Sequence, residues 1–175
     1  MRHKKMTNCF LALASGATVI FMVSVTPLSA RAETLDVVTT TPNLAALVKA
    51  VGGQAVRVKS LARVGEDPHF VEARPSFVRL LHNADLLAVV GLDLGVGYLP
   101  ALIAQARNPK IQPGGDGYFD ASVGIDKILP PRMGAMARAL GDVHPRGNPH
   151  YLTDPIAGLR VARRLTERLS ELEPG

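Results

Sequence analysis

The chain has 175 residues, one cysteine and a formal charge of +5. Residues 1–32 read as a secretory signal peptide; without them 143 residues remain at +1, because Arg2, Lys4, Lys5 and Arg31 leave and no acidic residue does. That remainder excludes a clustered basic face for nucleic acid, a disulfide and a thiolate metal ligand, and it is long enough for one ordinary core.

The signal reading rests on a basic start, an apolar stretch from Phe10 to Val25, the helix-breaking Pro27 and the small-residue pattern Ala30-Arg31-Ala32. An uncleaved anchor is the alternative, since the apolar stretch approaches the roughly 20 residues that span a bilayer. Ser15, Gly16, Thr18 and Ser24 dilute it. Cleavage is expected near Ala32, which makes the mature chain periplasmic or secreted. Cys9 comes too early, with no apolar run before it, to be a lipid-attachment cysteine.

Leu35 to Thr41 is rich in β-branched residues and runs into Pro42, with Thr41 placed to cap a helix. That helix carries Leu44, Leu47, Val48 and Val51 on one face and stops at Gly52-Gly53. Ala55 to Leu61 alternates as a strand with one wetter face, and the loop Glu66-Asp67-Pro68-His69 follows it. Pro75 opens a second helix with Phe77, Val78, Leu80 and Leu81 inward, and Leu86 to Gly91 reads as a fully buried strand. Strands of this kind alternating with helices predict an α/β fold, a parallel sheet flanked by helices. A third helix is expected over about Val96 to Ala106, then a Pro/Gly-rich tract from Asn108 to Gly117, then one weak strand before Pro131. Asp154-Pro155 starts a last, amphipathic helix with Ile156, Leu159, Ala162, Leu165, Leu169 and Leu172 on its apolar face. Its arginines, Arg160, Arg163, Arg164 and Arg168, read as a solvated face.

The chemistry concentrates in two matched settings, Asp67-Pro68-His69 and Asn148-Pro149-His150. Neutral imidazole suits zinc and other first-row divalent ions, and loops at the carboxyl ends of parallel strands form the ligand crevice of an open α/β sheet. On residue type alone, a plain loop histidine bonded to backbone is the commoner alternative. His144 reads as a loop residue or an auxiliary ligand, with the loop residue favoured. His82 reads as a helix histidine without a role. Asp67 and Glu66 are possible orienting acceptors for His69, although Asp before Pro is equally a turn former. No nucleophile elbow, phosphate loop or His-Glu-x-x-His helix is present.

These segments resemble the periplasmic metal-binding proteins of zinc and manganese ABC importers, the cluster A-I solute-binding proteins. The likeness is carried by Thr39-Thr40-Thr41-Pro42-Asn43-Leu44, by Glu66-Asp67-Pro68-His69 with Pro75-Ser76, by Ala84-Asp85-Leu86-Leu87 leading to Gly91-Leu92-Asp93-Leu94, and by Asn148-Pro149-His150-Tyr151 with Asp154-Pro155. The resemblance implies that His69 and His150 are metal ligands and that the cargo is Zn2+ or Mn2+. It implies a two-lobed protein whose second lobe supplies further ligands and whose lobes are joined by a long helix. This chain is therefore expected to hold the first lobe over 33–153 and the start of the connecting helix over 154–175, as a truncated member of the family. An inner-membrane ABC permease is the expected partner, with no nucleic acid and no enzymatic activity. Self-association, or a partner supplying the other lobe, is expected if the apolar stripe Leu165, Leu169 and Leu172 lies uncovered. A metal-dependent hydrolase and a non-functional remnant are the alternatives.

Overall fold

The computed structural model describes residues 34–126 and 144–172. The expected signal peptide, 1–32, lies outside them, as does the stretch from Lys127 to Pro131.

Four strands alternate with helices: β1 Leu35–Thr39, α1 Pro42–Gly52, β2 Val56–Ser60, α2 Pro75–His82, β3 Leu86–Val89, α3 Leu99–Ala106, β4 Tyr118–Asp120, and α4 Pro155–Leu172, which follows a 3-10 turn at Tyr151–Thr153. The sheet order is β2-β1-β3-β4 and every pairing is parallel, with Val37 opposite Val58 on one side and Leu86 on the other. β3 is buried along its whole length, as its unbroken apolar run requires in a sheet covered on both faces. β2 stands at the edge, and its burial alternates. Its Arg57 donates from Nε and Nη2 to both oxygens of Asp36 on β1, each at 2.7 Å.

Side chains alternate between two apolar layers. Val37, Leu86 and Ala88 face α1 and α4, while Val38, Leu87 and Val89 face α2 and α3. α1 starts where expected: Pro42 occupies the first turn, Thr41 Oγ1 accepts the N–H of Leu44, and Gly53 at φ 53° closes the far end. α3 is shorter than its sequence suggests, because Gly95 to Tyr98 forms turns in which Tyr98 and Leu99 both donate their N–H to the Gly95 carbonyl.

α4 differs from expectation in which side it buries. Ala157, Val161, Leu165 and Leu169 are buried and Leu172 is partly so, whereas Ile156 and Leu159 are 58% and 49% exposed. The helix packs back onto α1 and the sheet, so Leu165 and Leu169 are covered from within. The arginine row at i, i+4 and i+8 is likewise engaged. Arg164 donates to the carbonyls of Asp120 and Val123 and lies 4.8 Å over the Phe119 ring, Arg168 donates to the Asp116 carbonyl, and Arg160 pairs with Asp126. These contacts fasten α4 to the segment around β4.

Candidate metal centre

β1 and β3 are adjacent at the centre of the sheet, and the chain leaves them in opposite directions: α1 leads to β2 on one side, and the segment after β3 leads to β4 on the other. Their carboxyl ends therefore flank the crevice where open α/β sheets place ligands. The exit of β1 is braced to its neighbours. Thr40 Oγ1 accepts the N–H of Val90 at 3.1 Å, and Leu61 and Ala62 donate to the carbonyls of Thr39 and Thr40.

Both histidine loops use one local device. Asp67 Oδ1 accepts the backbone N–H of His69 at 2.9 Å, and Asn148 Oδ1 accepts that of His150 at 2.9 Å. An Asp or Asn side chain bonding the backbone two residues on makes the turn, and the intervening proline restricts its φ. The repeated Asx-Pro-His pattern is thus a physical device for presenting an imidazole on a short connection. Asp67 does more, because the same oxygen lies 2.7 Å from His69 Nδ1. The backbone N–H and the ring of His69 together hold the Asp67 carboxyl below its ordinary value.

With Nδ1–H given to Asp67, a neutral His69 presents the lone pair of Nε2 outward. That atom meets His144 Nε2 at 2.9 Å. The His69 ring lies 5.0 Å from that of His144 and 5.7 Å from that of His150, centroid to centroid. The structure thus gathers all three histidines that the sequence singled out as a ligand pair and an auxiliary. The reading of His144 as an ordinary loop residue misses its contact with His69, which only folding across 75 residues creates. Among the described residues no three His, Cys, Asp or Glu side chains stand in a ready-made ligand geometry. Glu66 is otherwise occupied, its carboxylate accepting the N–H of Arg63 at 2.8 Å, and His82 lies at the end of α2 against the Ala106 carbonyl.

Residues with no role at the site assigned from sequence hold the second loop. Tyr151 donates its hydroxyl to the Val90 carbonyl at 2.7 Å, directly after His150, and burial pushes its phenol above the ordinary value. Arg146 donates Nε to Asp93 at 2.9 Å, with Nη2 2.6 Å from the same carboxylate, an ion pair that raises the guanidinium further. Asp93 sits in a left-handed run, Gly91 at φ 79°, Leu92 at 52° and Asp93 at 67°. Two non-glycine residues in that region cost on the order of 1–3 kcal/mol each and are kept only where their surroundings enforce them. Here they aim Asp93 at the histidine loop. Gly91 is required on a second count, since a Cβ there would collide with the Asp120 and Ser122 side chains. Leu92 and His150 line one recess of about 180 Å³ with Ile125, Tyr151, Ile156 and Arg160.

A family model described as the periplasmic component A of zinc-uptake complexes, ZnuA, matches residues 37–175. The chain belongs to the ZnuA family. A relative from Streptococcus pyogenes serotype M6, the iron ABC transporter substrate-binding lipoprotein MtsA, is 30% identical over 98% of this chain and 52% of its own length. The manganese ABC transporter substrate-binding lipoprotein PsaA of Streptococcus mitis is 26% identical over the same shares of both chains. The chain therefore spans about half the length of these curated relatives. A crystal structure of ZnuA superposes with a TM-score of 0.62 at 24% identity, covering 81% of this chain and 48% of that one. The Mn-bound periplasmic metal-binding protein of Candidatus Liberibacter asiaticus gives a TM-score of 0.57 at 22% identity, covering 79% of this chain and 46% of its own. At those identities the ZnuA-like likeness of the two structures establishes the fold, a lobe with a parallel sheet flanked by helices.

Proposed function

We propose that this ZnuA-family chain captures a divalent transition metal ion in the periplasm for an ABC importer, using His69 and His150 as ligands. The observation that carries the reading is the approach of these two imidazoles, 5.7 Å apart at their centroids, from two loops at the carboxyl edge of the central strands. For two imidazoles on one tetrahedral ion, nitrogen bonds of about 2.0–2.1 Å put the ring centroids roughly 5 Å apart, close to the separation of these two rings. Asp67 supports the role, since metal-bound histidines commonly give their other ring N–H to a carboxylate. The relatives named for zinc, manganese and iron transport support a divalent cargo and delivery to a membrane permease. α4 is then the start of a helix that leads toward a second lobe. Capture is a binding event and needs no catalytic group.

The test is titration with zinc and with manganese by calorimetry, comparing the exported chain with a His69→Ala, His150→Ala double variant. Saturable binding that disappears in the folded double variant is the expected result. Equal binding by both proteins would refute the assignment of these two residues.

A further inference from the structure

We infer that His144 is a third ligand to the same ion, so that one lobe contributes three imidazoles and the site selects a borderline ion such as zinc over manganese. The inference rests on the reading of His69 and His150 as ligands and adds a residue and a selectivity to it. Its ground is the direct approach of His144 Nε2 to His69 Nε2 at 2.9 Å, with the two ring centroids 5.0 Å apart. Two imidazole nitrogens bound to one tetrahedral ion at about 2.0–2.1 Å stand roughly 3.3 Å apart. The pair therefore has to open by only a few tenths of an ångström to admit an ion between the two nitrogens.

The loop is built to keep His144 there. Gly147 donates its N–H to the His144 carbonyl at 3.1 Å, closing a turn, and Arg146 inside that turn is clamped by Asp93. The far end of the loop is tied by Tyr151 to the Val90 carbonyl. His144 and His150 are thus carried on one short segment pinned at two points beside the exit of β3. His69 comes from the other loop with its ring set by Asp67. Imidazole nitrogen suits zinc, copper, iron and nickel, whereas manganese prefers carboxylate, carbonyl and water oxygen. Among the described residues, the carboxylates beside these rings are engaged: Asp67 faces Nδ1 of His69, Glu66 faces the Arg63 N–H and Asp93 faces Arg146. This lobe's share of the donor set is nitrogen-rich, and its preference follows.

The experiment uses the chain purified from the periplasm of an expression host, with His144→Ala, His69→Ala and His150→Ala variants whose far-UV spectra and unfolding midpoints match the parent. Zinc and manganese affinities are measured by competition, and X-ray absorption on the zinc- and cobalt-loaded proteins counts bound imidazoles. We expect the count to fall from three to two in His144→Ala. Zinc affinity should drop by more than about tenfold, beyond the lower end of what loss of even an outer hydrogen-bond partner costs, with a much smaller change for manganese. Parental zinc affinity and imidazole count in His144→Ala, with loss in His69→Ala and His150→Ala, would overturn the third ligand and leave the two-histidine reading standing. Unchanged binding in all three variants would overturn both.

Discussion

Asp67 shows how much one side chain decides. It builds the turn by accepting the His69 N–H, and it sets the ring by facing Nδ1, so the nitrogen offered to the crevice is Nε2. In the second loop Asn148 performs only the first of these tasks. The comparison separates charge from geometry: an amide oxygen suffices for the turn, so Asp67→Asn should retain most of the metal affinity. Asp67→Ala loses both contacts and should weaken zinc binding by about 10–100-fold, the usual cost of removing an orienting partner of a ligand histidine. Competition against a chelating dye would measure this, and equal affinities for the parent and Asp67→Ala would refute it. The Asx-Pro-His repeat is visible in the sequence because its bonds span two residues. The His144 contact is not visible there, because its partner lies 75 positions away.

At the scale of elements, the histidine loop over 144–150 and helix α4 behave differently under mutation. The Arg146–Asp93 pair is exposed on the arginine side, so it contributes little to global stability and much to the order of the loop. Arg146→Ala should leave the urea midpoint unchanged while amide exchange across 144–150 accelerates, and protection equal to the parent would show that the clamp does not order the loop. α4 is the opposite case. Leu165 is fully buried against α1, and Leu165→Ala should cost about 2–5 kcal/mol in urea unfolding. Leu159, 49% exposed, should cost no more than about 0.5 kcal/mol when truncated. Sequence periodicity found this helix and its start at Asp154-Pro155 but assigned Ile156 and Leu159 to the apolar face. Apolar residues occur on two adjoining sides of it, and the choice between them was made by α1 on one side and by the carbonyls of Asp116, Asp120 and Val123, which Arg164 and Arg168 reach, on the other.

For the molecule as a whole, the three tyrosines make folding sensitive to alkali. Burial pushes the Tyr98 phenol from 10.0 up to about 12, and Tyr118 and Tyr151 move in the same direction for the same reason. A group whose value is raised by folding stays protonated in the folded chain while the unfolded chain ionises. Its contribution is intact below pH 10 and is lost as pH rises from there toward 12. The urea midpoint should therefore hold up to about pH 9 and fall above 10, less steeply in Tyr98→Phe; identical slopes for the two proteins would contradict this. Tyr98 also has no hydrogen-bond partner for its buried hydroxyl among the described residues, so Tyr98→Phe should be neutral or stabilising by about 1 kcal/mol near pH 8. The sequence by itself determined the α/β class, the strand and helix positions apart from the start of α3, the two Asx-Pro-His turns and the resemblance to metal-capture proteins, because each is written in neighbouring residues or in a regular period. Only the tertiary structure decided the strand order β2-β1-β3-β4, the buried side of α4, the left-handed run that aims Asp93, and the meeting of His69 with His144 and His150. These depend on contacts between segments far apart in the chain, whose energies are settled by packing and by hydrogen bonds that no local pattern encodes.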